Sequence, residues 1–301
     1  MKASSIKPRR VVIANFVVAV AVILLIAKIM YDDLLASSGN TNVGSNHHIT
    51  ANEPRADSEK ARVDLAQGFE FRPIEKNEIL DYFYIDDSTH RTSFNLGNTN
   101  WDQNNVEFSN GIMVLSLDRN NDSSRPGWHG SQVVALSETS YGLYEVEMKP
   151  YVSTPGVVTA FFLYNHTSHD EIDIEFNSRN PQQVELNYFA KGVNAGSIKG
   201  LITVELEFDA FAEYHTYGFY YGVDLIIWYI DGKEVYRTDC SETPESVDSK
   251  FTAILSLWAG GNEYVEWLGQ TVEPEDNTGI SAYIRSVRYI PEKSIGIVPK
   301  N

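Results

Sequence analysis

In the stretch Asp170-Glu171-Ile172-Asp173-Ile174-Glu175-Phe176, acidic and apolar residues alternate without a break from Glu171 onward. Successive side chains of an extended chain point to opposite faces, so Glu171, Asp173 and Glu175 share one face while Ile172, Ile174 and Phe176 share the other. One side suits a core; the other is a row of three carboxylates. Like charges about 6.6 Å apart along a strand repel, and removing water from the row raises the proton affinity of at least one member. A carboxylate beside a carboxylic acid is what glycoside hydrolysis requires: one attacks the anomeric carbon while the other donates a proton to the leaving oxygen. The same acids would also suit a solvated face of an acidic protein, or calcium coordination. Retaining chemistry adds a geometric demand, because its working carboxyls stand about 5 to 5.5 Å apart, whereas the Cα atoms of Glu171 and Glu175 are about 13 Å apart on an ideal strand. Their side chains must lean together, which a concave sheet favours. Asp173, shorter and between them, can then hydrogen-bond to the attacking group.

The surrounding chain supplies the elements that would hold such a row. Beyond about residue 80, short apolar-alternating runs rich in Val, Ile, Tyr, Phe and Trp are separated by turn residues. Strands are predicted at Ile112–Leu117, Leu143–Met148, Val157–Tyr164, Glu171–Phe176, Val184–Phe189, Thr203–Phe208, Tyr214–Tyr221 and Phe251–Trp258. Leu225 to Ile230 and Lys233 to Tyr236 flank Asp231-Gly232, a pair suited to the positive dihedrals of a two-residue hairpin turn. No long amphipathic helix is evident, so two packed antiparallel sheets are the natural way to bury these half-apolar strands. The aromatic share of 12% exceeds what a small interior demands and points to rings with work outside the core.

Ahead of this region the pattern differs. Lys2, Lys7, Arg9 and Arg10 precede an apolar run, Val11 to Ile26, broken only by Asn15, and Asp32 and Asp33 follow it. This charge order sends the remainder out of the cytoplasm, either on a retained signal-anchor or after cleavage near Ala36, Ser37 and Ser38. The chain is thus expected to comprise a stub and anchor or signal peptide (1–36), a flexible tether (37–78), a β-sandwich (79–295) and a tail (296–301). The catalytic part would be membrane-anchored outside the cytoplasm, or secreted.

Bulk properties narrow the partners. A formal charge of -17 repels phosphate backbones, which excludes nucleic acid. The single cysteine, Cys240, excludes an intramolecular disulfide and gives no zinc signature, and the adjacent His47 and His48 fall in the tether. Asn121-Asp122-Ser123 and Asn165-His166-Thr167 match the glycosylation sequon, a pattern frequent by chance.

The acidic strand resembles the active-site signature of glycoside hydrolase family 16, with its lichenase, laminarinase, xyloglucan endotransglycosylase and bacterial exopolysaccharide-glycanase branches. Further blocks follow in that family's order: Tyr141-Gly142-Leu143-Tyr144-Glu145-Val146-Glu147-Met148-Lys149-Pro150, Phe161-Phe162-Leu163-Tyr164, Glu185-Leu186-Asn187-Tyr188-Phe189, Phe208-Asp209-Ala210, Tyr214-His215-Thr216-Tyr217, Trp228-Tyr229-Ile230-Asp231-Gly232 and Glu266-Trp267-Leu268-Gly269. The resemblance spans roughly residues 92 to 290. It implies an all-β jelly-roll sandwich of the concanavalin A-like kind, with Glu171 as nucleophile, Glu175 as general acid/base and Asp173 assisting the nucleophile. The implied reaction is cleavage of internal linkages of a β-glucan or exopolysaccharide with retention of configuration, by a monomer needing no cofactor. Transglycosylation of the same glycan and a catalytically silent carbohydrate-binding role remain open beside it.

By the same resemblance, Phe162, Tyr164, Asn187 and Trp258 would line the cleft, since sugar rings stack on aromatic faces and an amide pairs with hydroxyls both ways. Trp267 is expected to pack beneath it. The chain also departs from the pattern. His169 stands where a tryptophan usually precedes the motif, and could contact sugar, tune the acid or sit at the rim. Gly130-Ser131-Gln132-Val133-Val134 lacks the glutamate and arginine that lichenases direct at sugar hydroxyls. Arg285 stands nearest the aspartate with which lichenases hold a calcium, so no metal is expected.

Overall fold

The computed structural model describes residues 12–14, 68–89, 96–121, 127–190, 193–194, 201–223, 225–239, 250–275 and 279–295. Its strands are β1 (Phe69–Phe71), β2 (Phe83–Ile85), β3 (Thr99–Trp101), β4 (Val106–Ser109), β5 (Ile112–Arg119), β6 (Trp128–Ala135), β7 (Gly142–Lys149), β8 (Val157–Tyr164), β9 (Glu171–Asn177), β10 (Gln183–Ala190), β11 (Leu201–Glu205), β12 (His215–Gly222), β13 (Leu225–Ile230), β14 (Lys233–Asp239), β15 (Thr252–Ala259) and β16 (Ile280–Pro291). The two α-helices among the described residues, Lys76–Ile79 and Val265–Leu268, are a single turn each.

Pairing sorts the strands into two antiparallel layers. The front layer runs β11, β10, β9, β8, β15, β6, β2. The back layer runs β14, β13, β12, β7, β16, and the far edge of β16 is shared by β5 along its first half and β1 along its second. The short β3 joins the start of β6 in parallel. The expected hairpin closes as anticipated: Asp231 and Gly232 take φ of 49° and 71°, the left-handed pair that lets β13 return directly into β14.

Period-two alternation explains the core. The inward residues of β9 (Ile172, Ile174, Phe176), of β10 (Val184, Leu186, Tyr188) and of β15 (Ala253, Leu255, Leu257) meet those of the back layer in one continuous apolar cluster. Phe161 of β8 stacks on Phe219 of β12 with ring centroids 5.6 Å apart, and Phe176 meets Tyr217 edge-on at 4.7 Å. The aromatic surplus therefore goes largely into the interior: Trp128, Trp228, Tyr144, Tyr151, Tyr217, Phe83 and Phe251 are among its largest sealed side chains. A second, smaller cluster of Trp101, Val158, Ala160, Trp258, Tyr264 and Leu268 lies on the outer face of the front layer.

One expectation about organisation changes. The folded body begins well before residue 79, because Phe69 and Phe71 pack against Tyr82, Phe83 and Tyr289 while β1 pairs with β16. Its charged and proline-containing surroundings masked a three-residue strand whose alternate rings are buried. The expected N-terminal anchor falls outside the described residues except for Val12–Ala14, which lie extended beside residues 201–203. Among the described residues no helix is long and apolar enough to cross a membrane. His47, His48, Cys240 and the tail also fall outside them.

Candidate active site

The outer face of the front layer carries the acidic row, and strand register aligns its neighbours into ranks across the sheet. Across from Glu171 stand Tyr164 of β8 and Phe189 of β10; across from Asp173 stand Phe162 and Asn187; across from Glu175 stand Ala160 and Glu185. The Glu175 rank continues through Ser256 of β15 to Gln132 of β6. Adjacent ranks are about 6.6 Å apart and neighbouring strands about 4.8 Å, so the acids and their partners share one patch. The patch is open. Phe162 and Tyr164 are half-buried, whereas their inward neighbours Phe161 and Leu163 are 1% and 0% exposed. Glu171 and Glu175 are half-buried too, and Asp173 between them is 3% exposed.

Burial dominates the electrostatics. Loss of water outweighs the hydrogen bond that Glu171 receives from Asp173, which favours ionisation, and leaves Glu171 raised to about 7. Asp173 is raised further, by burial and then by the charges of Glu171 and Glu175, and it holds the proton it shares with Glu171. Glu175 is also well above the usual carboxylate range, through burial and then the charges of Glu185 and Glu171. The acids titrate as a unit. Within that unit the hydrogen bond from Asp173 favours the Glu171 anion, while the neighbouring charges of Glu185 and Glu171 favour the protonated form of Glu175.

The acidic strand is also fixed from beneath. Trp228 of β13, fully buried in the back layer, crosses the core and donates its indole N–H to the Asp173 carbonyl at 3.0 Å. At the other end, β8 turns into β9 through a tight loop in which Asn165 Oδ1 accepts from the backbone N–H of Thr167 (2.8 Å) and Ser168 (2.9 Å). Asn165 Nδ2 donates to the Lys250 carbonyl at 2.8 Å. With its amide committed to this turn and 5% exposed, Asn165 is a structural residue rather than a sugar acceptor. His169 closes the loop at φ 58°, its Nδ1 2.8 Å from the Tyr164 hydroxyl, so it is bound to the rim of the patch beside Glu171.

A family model, "Glycosyl hydrolases family 16", matches residues 94–275. The chain belongs to glycosyl hydrolases family 16. Among its relatives is a beta-glucanase of Acetivibrio thermocellus, 36% identical over 198 residues, covering 64% of this chain and 54% of that protein. The chain thus spans about half the length of that relative. A beta-glucanase of Bacillus licheniformis is 34% identical over 203 residues, 65% of this chain and 75% of its own. In three dimensions a crystal structure of a prokaryotic beta-1,3-1,4-glucanase (lichenase) from a mouse hindgut metagenome superposes with a TM-score of 0.64 at 29% identity, covering 75% of this chain and 99% of that one. Laminarinases such as that of Thermotoga maritima, at 17% identity and a TM-score of 0.59, share the fold.

Against this family-16 frame, the predicted residues separate. Glu171, Asp173, Glu175, Phe162, Tyr164, Asn187 and His169 all come together at the patch. Trp258 lies on the same face but is 4% exposed, its ring lodged between Tyr264 and Trp267 at 5.4 and 6.3 Å. Trp267, expected beneath the cleft, is the half-exposed member of that group. The position expected to replace a calcium ligand carries its own cation. Arg285 bonds Glu147 at 3.1 Å and lies 3.6 Å over the Tyr214 ring, and Arg72 pairs with the same Glu147 at 3.1 Å. Two guanidinium groups on one carboxylate are a donor set that does not fit a calcium ion.

Sequence reasoning passed over Glu185, which the pairing of β10 with β9 sets directly opposite Glu175. Its Oε2 accepts from Trp267 Nε1 at 2.7 Å and its Oε1 from Asn177 Nδ2 at 3.4 Å. Glu185 and Asn187 alternate in the sequence, a signal that they share a face. Which face, and which acid they oppose, is set by register, which the sequence does not display.

Proposed function

We propose that this protein is a retaining endo-β-glucanase whose nucleophile is Glu171 and whose acid/base is Glu175. The observation that carries the reading is the row of Glu171, Asp173 and Glu175 on one outer sheet face beside Phe162, Tyr164 and Asn187, with Asp173 donating to Glu171. In the first step a Glu171 oxygen bonds to the anomeric carbon as the glycosidic C–O bond breaks, and the departing oxygen takes the proton of Glu175. In the second, Glu175, now a carboxylate, takes a proton from water as its oxygen bonds to the same carbon. The ester to Glu171 breaks, and both acids return to their starting states. Asp173 donates to Glu171 and steadies it as its charge is consumed and restored. Phe162 and Tyr164, half-buried beside the acids, suit the apolar faces of sugar rings, Asn187 suits their hydroxyls, and His169, tied to Tyr164, suits the rim.

A β-glucan substrate is supported by the beta-glucanases among the relatives. Work outside the cytoplasm is supported by Lys2, Lys7, Arg9 and Arg10 ahead of the apolar run from Val11 to Ile26. Incubating the full chain with mixed-linkage, β-1,3 and β-1,4 glucans and with galactans tests the substrate. Rapid shortening of a β-glucan into oligosaccharides is expected; exclusive release of monosaccharide, or retention of glycan without cleavage, refutes the endo-hydrolase. Products longer than the starting chain on addition of acceptor oligosaccharide identify a transglycosylase instead.

A further inference from the structure

The mechanism above uses Glu171, Asp173 and Glu175 and leaves out the acid directly opposite Glu175. Glu185 is 7% exposed, has no part in the two chemical steps, and faces Glu175 across the ladder between β9 and β10. Directly opposed residues of an antiparallel pair have Cβ atoms about 4.5–5.5 Å apart, so the two carboxyls share one partly dried space. Both cannot ionise there without strong repulsion, and one of them must hold a proton.

The surroundings decide which. Every hydrogen bond the structure gives Glu185 comes from a donor: Trp267 Nε1 to one oxygen at 2.7 Å, Asn177 Nδ2 to the other at 3.4 Å. Donors favour the anion. Arg179 adds positive charge from just beyond β9, its guanidinium anchored on the Glu266 and Trp267 carbonyls at 3.2 and 3.1 Å. Burial outweighs those two bonds and Arg179, each of which favours the anion, and leaves Glu185 raised to about 7. Glu175 is faced by Glu171 and Asp173 along its own strand and by Glu185 across the ladder. The phenol of Tyr264, carried with Glu263 on the turn ahead of the short helix, feels the Glu175 charge, and the neighbours of Glu175 along its rank are the uncharged Ala160 and Ser256. The asymmetry is complete: one acid is surrounded by donors and a cation, the other by acids.

We propose that Glu185 is a positioning residue that keeps the proton on Glu175: set directly across the ladder and ionising between the donors Trp267 and Asn177, its negative charge makes ionisation of the acid/base unfavourable and so sets the alkaline limit of turnover. The proposal rests on the assignment of Glu175 as acid/base, and it adds a tuning group on the neighbouring strand. Glu185→Gln removes the charge and keeps the size and one hydrogen-bond acceptor. Trp267→Phe removes the donor that pins the charge.

The test pairs activity with a direct titration. The pH dependence of kcat/KM on a soluble β-glucan should keep its acid limb in Glu185→Gln, while the alkaline limb moves to lower pH by about one unit. One pH unit above the wild-type alkaline midpoint, activity then falls by up to about tenfold relative to wild type. Trp267→Phe should move the same limb in the same direction by less, and Glu185→Asp should restore part of it. A uniform loss at every pH, or superimposable profiles, overturns the proposal. Carbon-13 NMR titration of glutamate carboxyls, with the Glu175 signal identified by its loss in Glu175→Gln, reads the same coupling without substrate. If Glu175 titrates at lower pH in Glu185→Gln but the wild type cuts no glycan, the tuning stands and the glucanase reading fails. If the wild type cuts glucan and the Glu175 signal does not move, the tuning fails alone.

Discussion

Trp228→Phe isolates the link between core packing and chemistry. The indole is sealed in the back layer, rests against Tyr188 and Tyr236 at centroid separations of 6.5 and 5.7 Å, and donates to the Asp173 carbonyl at 3.0 Å. Phenylalanine lacks that donor and leaves part of the ring's volume empty. A buried carbonyl that loses a partner costs about 1–3 kcal/mol, and full truncation of a buried Trp or Phe costs about 3–5 kcal/mol, of which trimming to phenylalanine incurs a fraction. A total of about 2–4 kcal/mol is expected, a large share of the stability of one domain. Urea denaturation followed by circular dichroism measures it, with Trp128→Phe as the control. Trp128 is equally sealed but lies at the start of β6 beneath Arg119 and tests packing loss alone. The two variants should lose comparable stability, while Trp228→Phe alone lowers kcat, by about tenfold, because the strand carrying Asp173 loses its strut. A stability loss under about 0.5 kcal/mol, or equal kcat in the two variants, refutes the idea that Trp228 holds the catalytic strand.

Asp173→Ala removes the donor that draws Glu171 towards ionisation; the acid limb should move to higher pH and activity at pH 6 should fall about tenfold or more, whereas Asp173→Asn, which still donates, should retain more of it. Glu171 and Glu185 are both raised to about 7 in the folded state. Groups raised in this way stabilise the fold at pH values below their unfolded range near 4.5, and that contribution is lost as pH climbs through 7. Thermal melts should therefore show a falling Tm between pH 5 and pH 8, with a shallower fall in Glu185→Gln; a Tm that rises over this interval contradicts the burial of these groups. With Arg285 paired to Glu147 where a metal ligand was in question, EDTA should shift the Tm by no more than about a degree, and Arg285→Ala should destabilise by about 1 kcal/mol, as measured by denaturation.

Much of this molecule is legible in its sequence because period-two alternation survives wherever one face is core and the other is wet. The acidic strand, expected at Glu171–Phe176, is observed at Glu171–Asn177, and β8 and β13 match their predicted limits. Legibility fails where that asymmetry is absent. Trp128–Ala135 is covered along most of both faces and mixes Gly, Ser and Gln with Val, so no alternation marks it. Ile280–Pro291 carries Arg285, Ser286 and Arg288 and slips register between Ile284 and Ser286, which breaks its pattern midway. Thr99–Trp101 is three residues long and pairs in parallel, too short to show any period. At the site, spacing along one strand revealed Glu171, Asp173 and Glu175. The place of Glu185 opposite Glu175 depends on which strand lies beside which and in what register, and those relations arise only on folding.

The assignment of Glu171 as the attacking group is tested most directly by Glu171→Ala in azide with an activated aryl β-glucoside oligomer. With the nucleophile gone and Glu175 intact, azide should enter from the vacated side, restore turnover, and give a glycosyl azide of inverted, α configuration by proton NMR. Undiminished turnover without azide, or a β-azide product, contradicts the assignment.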